Sequence, residues 1–146
     1  MINAIKLAVT VNAPVEVVWE NFMNPEHLSK WLTGFVSIEH FEGNIGKEGS
    51  TSRLILLERG KPFEVIEKVL LCKPFQQYTF IMQHAAMDSL SDVRFVSIGQ
   101  ITEVIQAVQF SPKGISMKIM MPFMKGVMKK RMAKDLRNLK EWTESR

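Results

Sequence analysis

One cysteine, Cys72, stands in a chain of 146 residues. No disulfide can form within it, so packing alone must hold the fold. The residues around Cys72 read as a strand, which makes it a small buried hydrophobe rather than a reactive thiol. The N-terminus, Met1-Ile2-Asn3-Ala4-Ile5-Lys6, lacks the basic segment and long apolar run of a secretory signal. No stretch approaches the roughly 20 apolar residues that cross a bilayer. These absences lead us to expect a cytoplasmic protein without stable membrane insertion. His27, His40 and His84 lie too far apart for a sequence-local metal motif. No glycine-rich phosphate loop is present, and Gly43-Asn44-Ile45-Gly46 reads as an ordinary turn. We therefore expect no metal and no cofactor.

What is present is concentrated at the C-terminal end. Met121, Met124, Met128, Met132, Leu136, Leu139 and Trp142 recur at steps of three or four. At about 100° per residue they fall on one helical face. Lys125, Lys129, Lys130, Lys134, Arg137 and Lys140 cover the remaining arc. A helix that only seals a core usually uses Leu and Ile. Four methionines suit a surface that must adapt to varied apolar shapes, so this helix reads either as a Met-rich core helix or as one wall of an apolar ligand pocket. The basic charge belongs to the same element. From Lys118 onward there are nine Lys/Arg and three Asp/Glu, against ten and twelve before it. Without a groove-reading motif or interleaved aromatics, these lysines read as a solvated face and nucleic acid is not an expected partner.

The length fits one domain spanning 1–146, enough to bury a sizeable core. Residues Ile2 to Asn12 alternate as a half-buried strand. Asn12-Ala13-Pro14 opens a short helix whose face is Val15, Val18, Trp19 and Phe22. Asn24-Pro25 stops it and starts a second, with Leu28, Trp31 and Leu32 as its apolar positions. Strands then follow at about 34–42, 49–58, 62–72, 76–85, 90–98 and 101–111, separated by Gly-, Asn- and Pro-containing turns. Short turns predict an antiparallel meander. Pro112 and Gly114 end the last strand, and the long helix begins somewhere between Gly114 and Phe123. The layout is α+β: one antiparallel sheet with helices at one end and on one face.

The stretch Val11-Asn12-Ala13-Pro14-Val15-Glu16-Val17-Val18-Trp19-Glu20, followed by Asn24-Pro25-Glu26-His27-Leu28 and Trp31, resembles the opening of the START-like (SRPBCC) superfamily. That superfamily includes polyketide cyclase/dehydrase-like and lipid-transfer proteins. The resemblance continues through the seven-strand order and the C-terminal helix. It implies the helix-grip fold, a curved antiparallel sheet around a long helix with an apolar cavity between them. Both Trp residues then belong to the scaffold. Fold alone does not settle function.

The candidate site residues come from strand alternation and from the helix. Met124 and Met128 are expected on the pocket wall with some of Phe35, Ile55, Tyr78, Phe80 and Met82. His84 follows Tyr78, Phe80 and Met82 on one face: it is a polar group in an apolar lining if that face is inward, or a residue at the strand end in water. Arg53 alternates with Thr51, Ile55 and Leu57; Glu67 with Phe63, Val65, Val69 and Leu71; Arg94 with Asp92, Val96 and Ile98. Arg53 and Glu67 are expected to pair across neighbouring strands, or one of them to anchor a ligand's polar end. Asp135 stands at the edge of the Met stripe. It reads as an i,i+4 partner of Arg131, or as a carboxylate whose pKa the cavity raises. The expected function is binding or carriage of a small, mostly hydrophobic ligand by a monomer or homodimer. A cyclase, dehydratase or hydrolase acting in the same cavity is the alternative. A protein-interaction module of the chaperone-ATPase-activator type is a further one.

Overall fold

A computed structural model describes residues 3–146; Ile2, which the alternation assigns to the first strand, lies outside the described residues. The elements are β1 (Ala4–Val11), α1 (Val15–Met23), a 3-10 turn (Pro25–His27), α2 (Leu28–Trp31), β2 (Phe35–Glu42), β3 (Thr51–Glu58), β4 (Lys61–Lys73), β5 (Gln77–Gln83), β6 (Met87–Ile98), β7 (Ile101–Pro112) and α3 (Gly114–Glu144). The sheet is antiparallel, in the order β1-β7-β6-β5-β4-β3-β2. From β2 onward it is a meander, as the short turns require. The β1-to-β2 connection alone crosses from one edge to the other, and α1 and α2 are that connection. This is the helix-grip α+β fold. No helix among the described residues is long and apolar enough to cross a membrane.

The caps follow local chemistry. The Asn24 side chain accepts from the Glu26 amide at 2.9 Å, opening the turn at Pro25. The long helix begins at Gly114 and runs through Pro122. Proline's φ fits a helix, but it lacks the N–H that would reach back one turn. Met121 beside it is buried among Ile5, Met87, Val108 and Phe110, and this packing carries the helix past the lost bond.

The main core lies under the C-terminal half of α3. Leu136 and Leu139 meet Val11, Val18, Trp19, Phe22, Trp31 and the inward residues of β4 to β7. The aromatics interlock: Phe22 stacks on Trp31 at 5.1 Å, and Trp19 presents an edge to Phe95 at 5.0 Å. Polar ties fix the same end. Asn21 Nδ2 donates to Thr143 Oγ1 at 3.0 Å, Arg146 to Asn21 Oδ1 at 2.8 Å, and Lys140 to the Thr10 carbonyl at 2.8 Å.

Placement of α3 decides where space remains. It packs on β1, α1 and α2 and touches the middle strands little. The C-terminal half of α3, with α1 and α2, covers one end of the inner face of the sheet, and space is left between the rest of α3 and β3 to β6. The cavities lie there.

Candidate functional site

Two adjoining chambers separate α3 from the sheet. The inner one, about 220 Å³, is walled by Phe22, Trp31, Leu54, Phe80 and Val108 and roofed by Met128 and Met132. The outer one, about 400 Å³, lies toward the start of α3 between Met117, Met124, Met128, Phe63 and Met87. Leu56, Met82, Ser89, Phe110, Met128 and Arg131 line both, so the chambers share a wall. The linings are mostly apolar with a few convergent polar groups, as in sites for small organic ligands.

A band of polar groups crosses the inner chamber. Ser52 on β3, Glu67 on β4, Tyr78 on β5, Ser89 and Ser91 on β6 and Gln106 on β7 form a band across the sheet. Tyr78 Oη donates to Glu67 Oε1 at 3.2 Å. The carboxyl faces the chamber yet is shielded from bulk water by the surrounding protein. Burial, only partly offset by the Tyr78 hydrogen bond, pushes its pKa up to about 7. Burial and the neighbouring carboxyl together raise the Tyr78 pKa far above the ordinary phenol range, so Tyr78 keeps its proton. The inner chamber therefore holds one carboxyl that changes charge near neutrality beside a fixed donor.

The loop between β2 and β3 forms the rim, where Ile45 and Gly46 join the lining. His40 Nε2 lies 2.6 Å from the Gly43 carbonyl and Nδ1 3.3 Å from Ser52 Oγ. Glu48 accepts from the Cys72 amide at 2.7 Å. The loop that reads from sequence as an ordinary turn is thus pinned at the mouth. In the outer chamber His84 Nδ1 accepts from the Ala86 amide at 3.0 Å, and its ring stands edge-on to Phe63 at 5.7 Å.

Asp135 and Arg131 do not close on one another as an i,i+4 pair. Both grip Thr33: its amide donates to Asp135 Oδ1 at 2.8 Å, and Arg131 Nη2 donates to its carbonyl at 2.6 Å. The next residue, Gly34, has φ +73°, and a Cβ there would stand 2.3 Å from the Leu57 carbonyl oxygen. The chain runs too close to β3 for any side chain. Burial raises the Asp135 pKa against the opposing pull of Thr33 and of the Arg131 charge. Asp135→Ala should leave the Thr33 amide unpaired and cost about 1–3 kcal/mol in urea unfolding. Asp135→Asn, which keeps an acceptor, should cost less; equal losses would contradict the clamp.

The geometry places the expected residues unequally. Glu67, Tyr78, Phe80, Met82, Met128 and Asp135 line the inner chamber, and Met82, His84, Met124 and Met128 the outer one. Phe35 lines neither. It packs with Leu54, Leu56 and Val65. Arg53 and Ile55 are corrected outright, because they lie on the outer face of β3. Arg53 pairs with Glu64 at 2.6 Å and covers the Phe41 ring, not Glu67. In register, Glu67 opposes Ser52. Arg94 pairs with Asp92 at 2.9 Å on the outer face of β6, while Ser89, Ser91 and Val93 point in. Past Val69 a bulge shifts the register, so Cys72 rather than Leu71 packs toward the core.

Reading the strands from sequence missed the serine band and Gln106. The alternation Met87, Ser89, Ser91, Val93, Phe95 carries that signal, weakened because two serines interrupt its apolar phase.

A family model described as polyketide cyclase / dehydrase and lipid transport matches residues 4–144. No curated protein matches the chain. Among solved structures, an aromatase/cyclase, Zhui, from Streptomyces sp. R1128 superposes with TM-score 0.83 at 15% identity over 97% of this chain and 93% of that one. A protein from Thermus thermophilus gives 0.80 at 16% identity, covering 97% of each chain. One from Chromobacterium violaceum gives 0.77 at 19%, covering 99% of each. At such identities these likenesses show the fold, and the family match adds the lineage. With the Ala-Pro and double-Trp opening, the meander and the gripped helix in place, the chain belongs to the polyketide cyclase / dehydrase and lipid transport family of the START-like superfamily.

Proposed function

We propose that the protein binds and carries a small, mostly hydrophobic ligand in the chambers under α3. The observation that carries this reading is the shared wall: Met82, Met128, Leu56 and Phe110 border both chambers, so one elongated apolar molecule has a continuous lining to occupy. Flexible thioethers on the helix side accommodate varied shapes. The polar band then orients the ligand's one oxygenated end against Glu67 and Tyr78. Native mass spectrometry of the purified protein should show a co-purifying mass of a few hundred daltons. In dye displacement, Met128→Gln should weaken binding about tenfold or more, because its amide would face the ligand unpaired. An unchanged affinity would remove Met128 from the site.

One observation favours the second reading, a cyclase- or dehydratase-type enzyme. Glu67, with its pKa raised to about 7, can both accept and return a proton near neutrality. Turnover of a polyketide-like or aromatic test substrate that Glu67→Gln removes, with dye affinity retained, would replace carriage by catalysis.

A further inference from the structure

The start of α3 presents an apolar face to solvent. Ile115, Ile119 and Phe123 are 77%, 74% and 62% exposed. They stand at i, i+4 and i+8, on one side of the helix, and Met120 beside them is 48% exposed. Such a run of large apolar side chains on one exposed helical face marks a contact surface. From Lys113 through Lys134 the sequence holds seven Lys/Arg, both ends included, and no Asp or Glu, and Lys118, Lys129 and Lys130 are exposed. The other side of these same turns, Met117, Met124 and Met128, lines the outer chamber.

We propose that this half of α3 docks on an anionic lipid bilayer. Ile115, Ile119 and Phe123 enter the headgroup–acyl boundary, and Lys118, Lys129 and Lys130 meet the lipid phosphates and carboxylates. Apolar residues ringed by lysines on an amphipathic helix lying in the interface plane suit such a surface. A second copy fits less well: an isologous contact through this face would bring two basic stretches together with no acidic residues between them. Docking sets the wall of the outer chamber at the membrane. The consequence, that ligand passes between bilayer and cavity there, rests on the carrier reading; the docking itself does not.

The test is sedimentation of the full chain with phosphatidylcholine vesicles, with and without phosphatidylserine. Binding should require phosphatidylserine and fall with added salt. The doubly substituted Ile119→Glu/Phe123→Glu chain should bind at least about tenfold more weakly. Its melting temperature and its dye affinity without vesicles should be unchanged, because both residues are exposed and outside the chambers. Lys129→Glu/Lys130→Glu should weaken binding without touching the apolar face. No binding to phosphatidylserine vesicles, or binding indifferent to both variants, would overturn the proposal. A solution dimer that Ile119→Glu/Phe123→Glu dissociates would overturn it in favour of a second copy. Dye binding in vesicle-free solution reports on the carrier reading separately, so either idea can fail alone.

Discussion

Replacing Trp31 with alanine should lower the unfolding free energy by about 3–5 kcal/mol, the range for large buried aromatics. The side chain is 7% exposed and stacks on Phe22 at 5.1 Å. Its Nε1 donates to the Asn21 carbonyl at 3.1 Å, and its own carbonyl accepts from Asn138 on α3 at 3.2 Å. Trp31 thus joins α1, α2 and α3 at one point. Truncation would remove the ring area, strand the Asn21 carbonyl and enlarge the inner chamber that Trp31 also lines. Trp31→Phe keeps a ring and should lose far less. Urea unfolding followed by far-UV circular dichroism measures both. A loss below about 1 kcal/mol for the alanine would mean that Trp31 is not the hub.

Glu67 should make the fold weaker as pH rises from about 4.5 to about 7. The sign follows from its titration. Unfolded, the carboxyl loses its proton at its ordinary value of 4.5; folded, burial holds the proton to about 7. Between these values the folded state binds the extra proton, so raising pH favours unfolding. The stability contributed by the buried acid is complete below about 4.5 and lost by the time pH passes 7. A displacement of that size corresponds to at most roughly 3 kcal/mol. Asp92, Glu48 and Glu144, whose pKa values hydrogen bonds lower, work in the opposite direction at lower pH, so the comparison must be a difference. The stability gap between Glu67→Gln and the parent chain should grow in favour of the glutamine from pH 4.5 to 7.5. The glutamine can still accept from Tyr78 and never ionises. A gap that stays flat across that range would place Glu67 in contact with bulk water.

The alternating runs, the turn residues and the three-to-four spacing of methionines were enough to read the seven strands, their meander order and the long helix. Both kinds of periodicity are local consequences of backbone geometry, and each residue reports its own contribution. The family resemblance lay in Ala13-Pro14 and the two tryptophans, which are scaffold, and so it spoke for fold before function. Inward and outward faces were another matter. On β3, Thr51, Ile55 and Leu57 are as apolar a set as Ser52, Leu54 and Leu56, and period-two alternation carries no sign. Only the closure of α2 and α3 over one side decided that Ser52 faces the chamber and that Arg53 and Ile55 face water. The bulge after Val69 reversed the phase again, for Leu71 and Cys72, through a register shift that pairing with β5 creates. Asp135 and Arg131 sit one helical turn apart, which favours a mutual pair, yet the approach of Gly34 to β3 brings the Thr33 peptide between them. The sequence by itself determined which segments are strand and helix, and that one helix carries both the methionines and the charge, because those properties are summed residue by residue. The tertiary structure alone decided which residues share the cavity and that Glu67 is shielded from bulk water. Facing, burial and the resulting pKa depend on residues far apart in the chain that meet only once the sheet has curved around the helix.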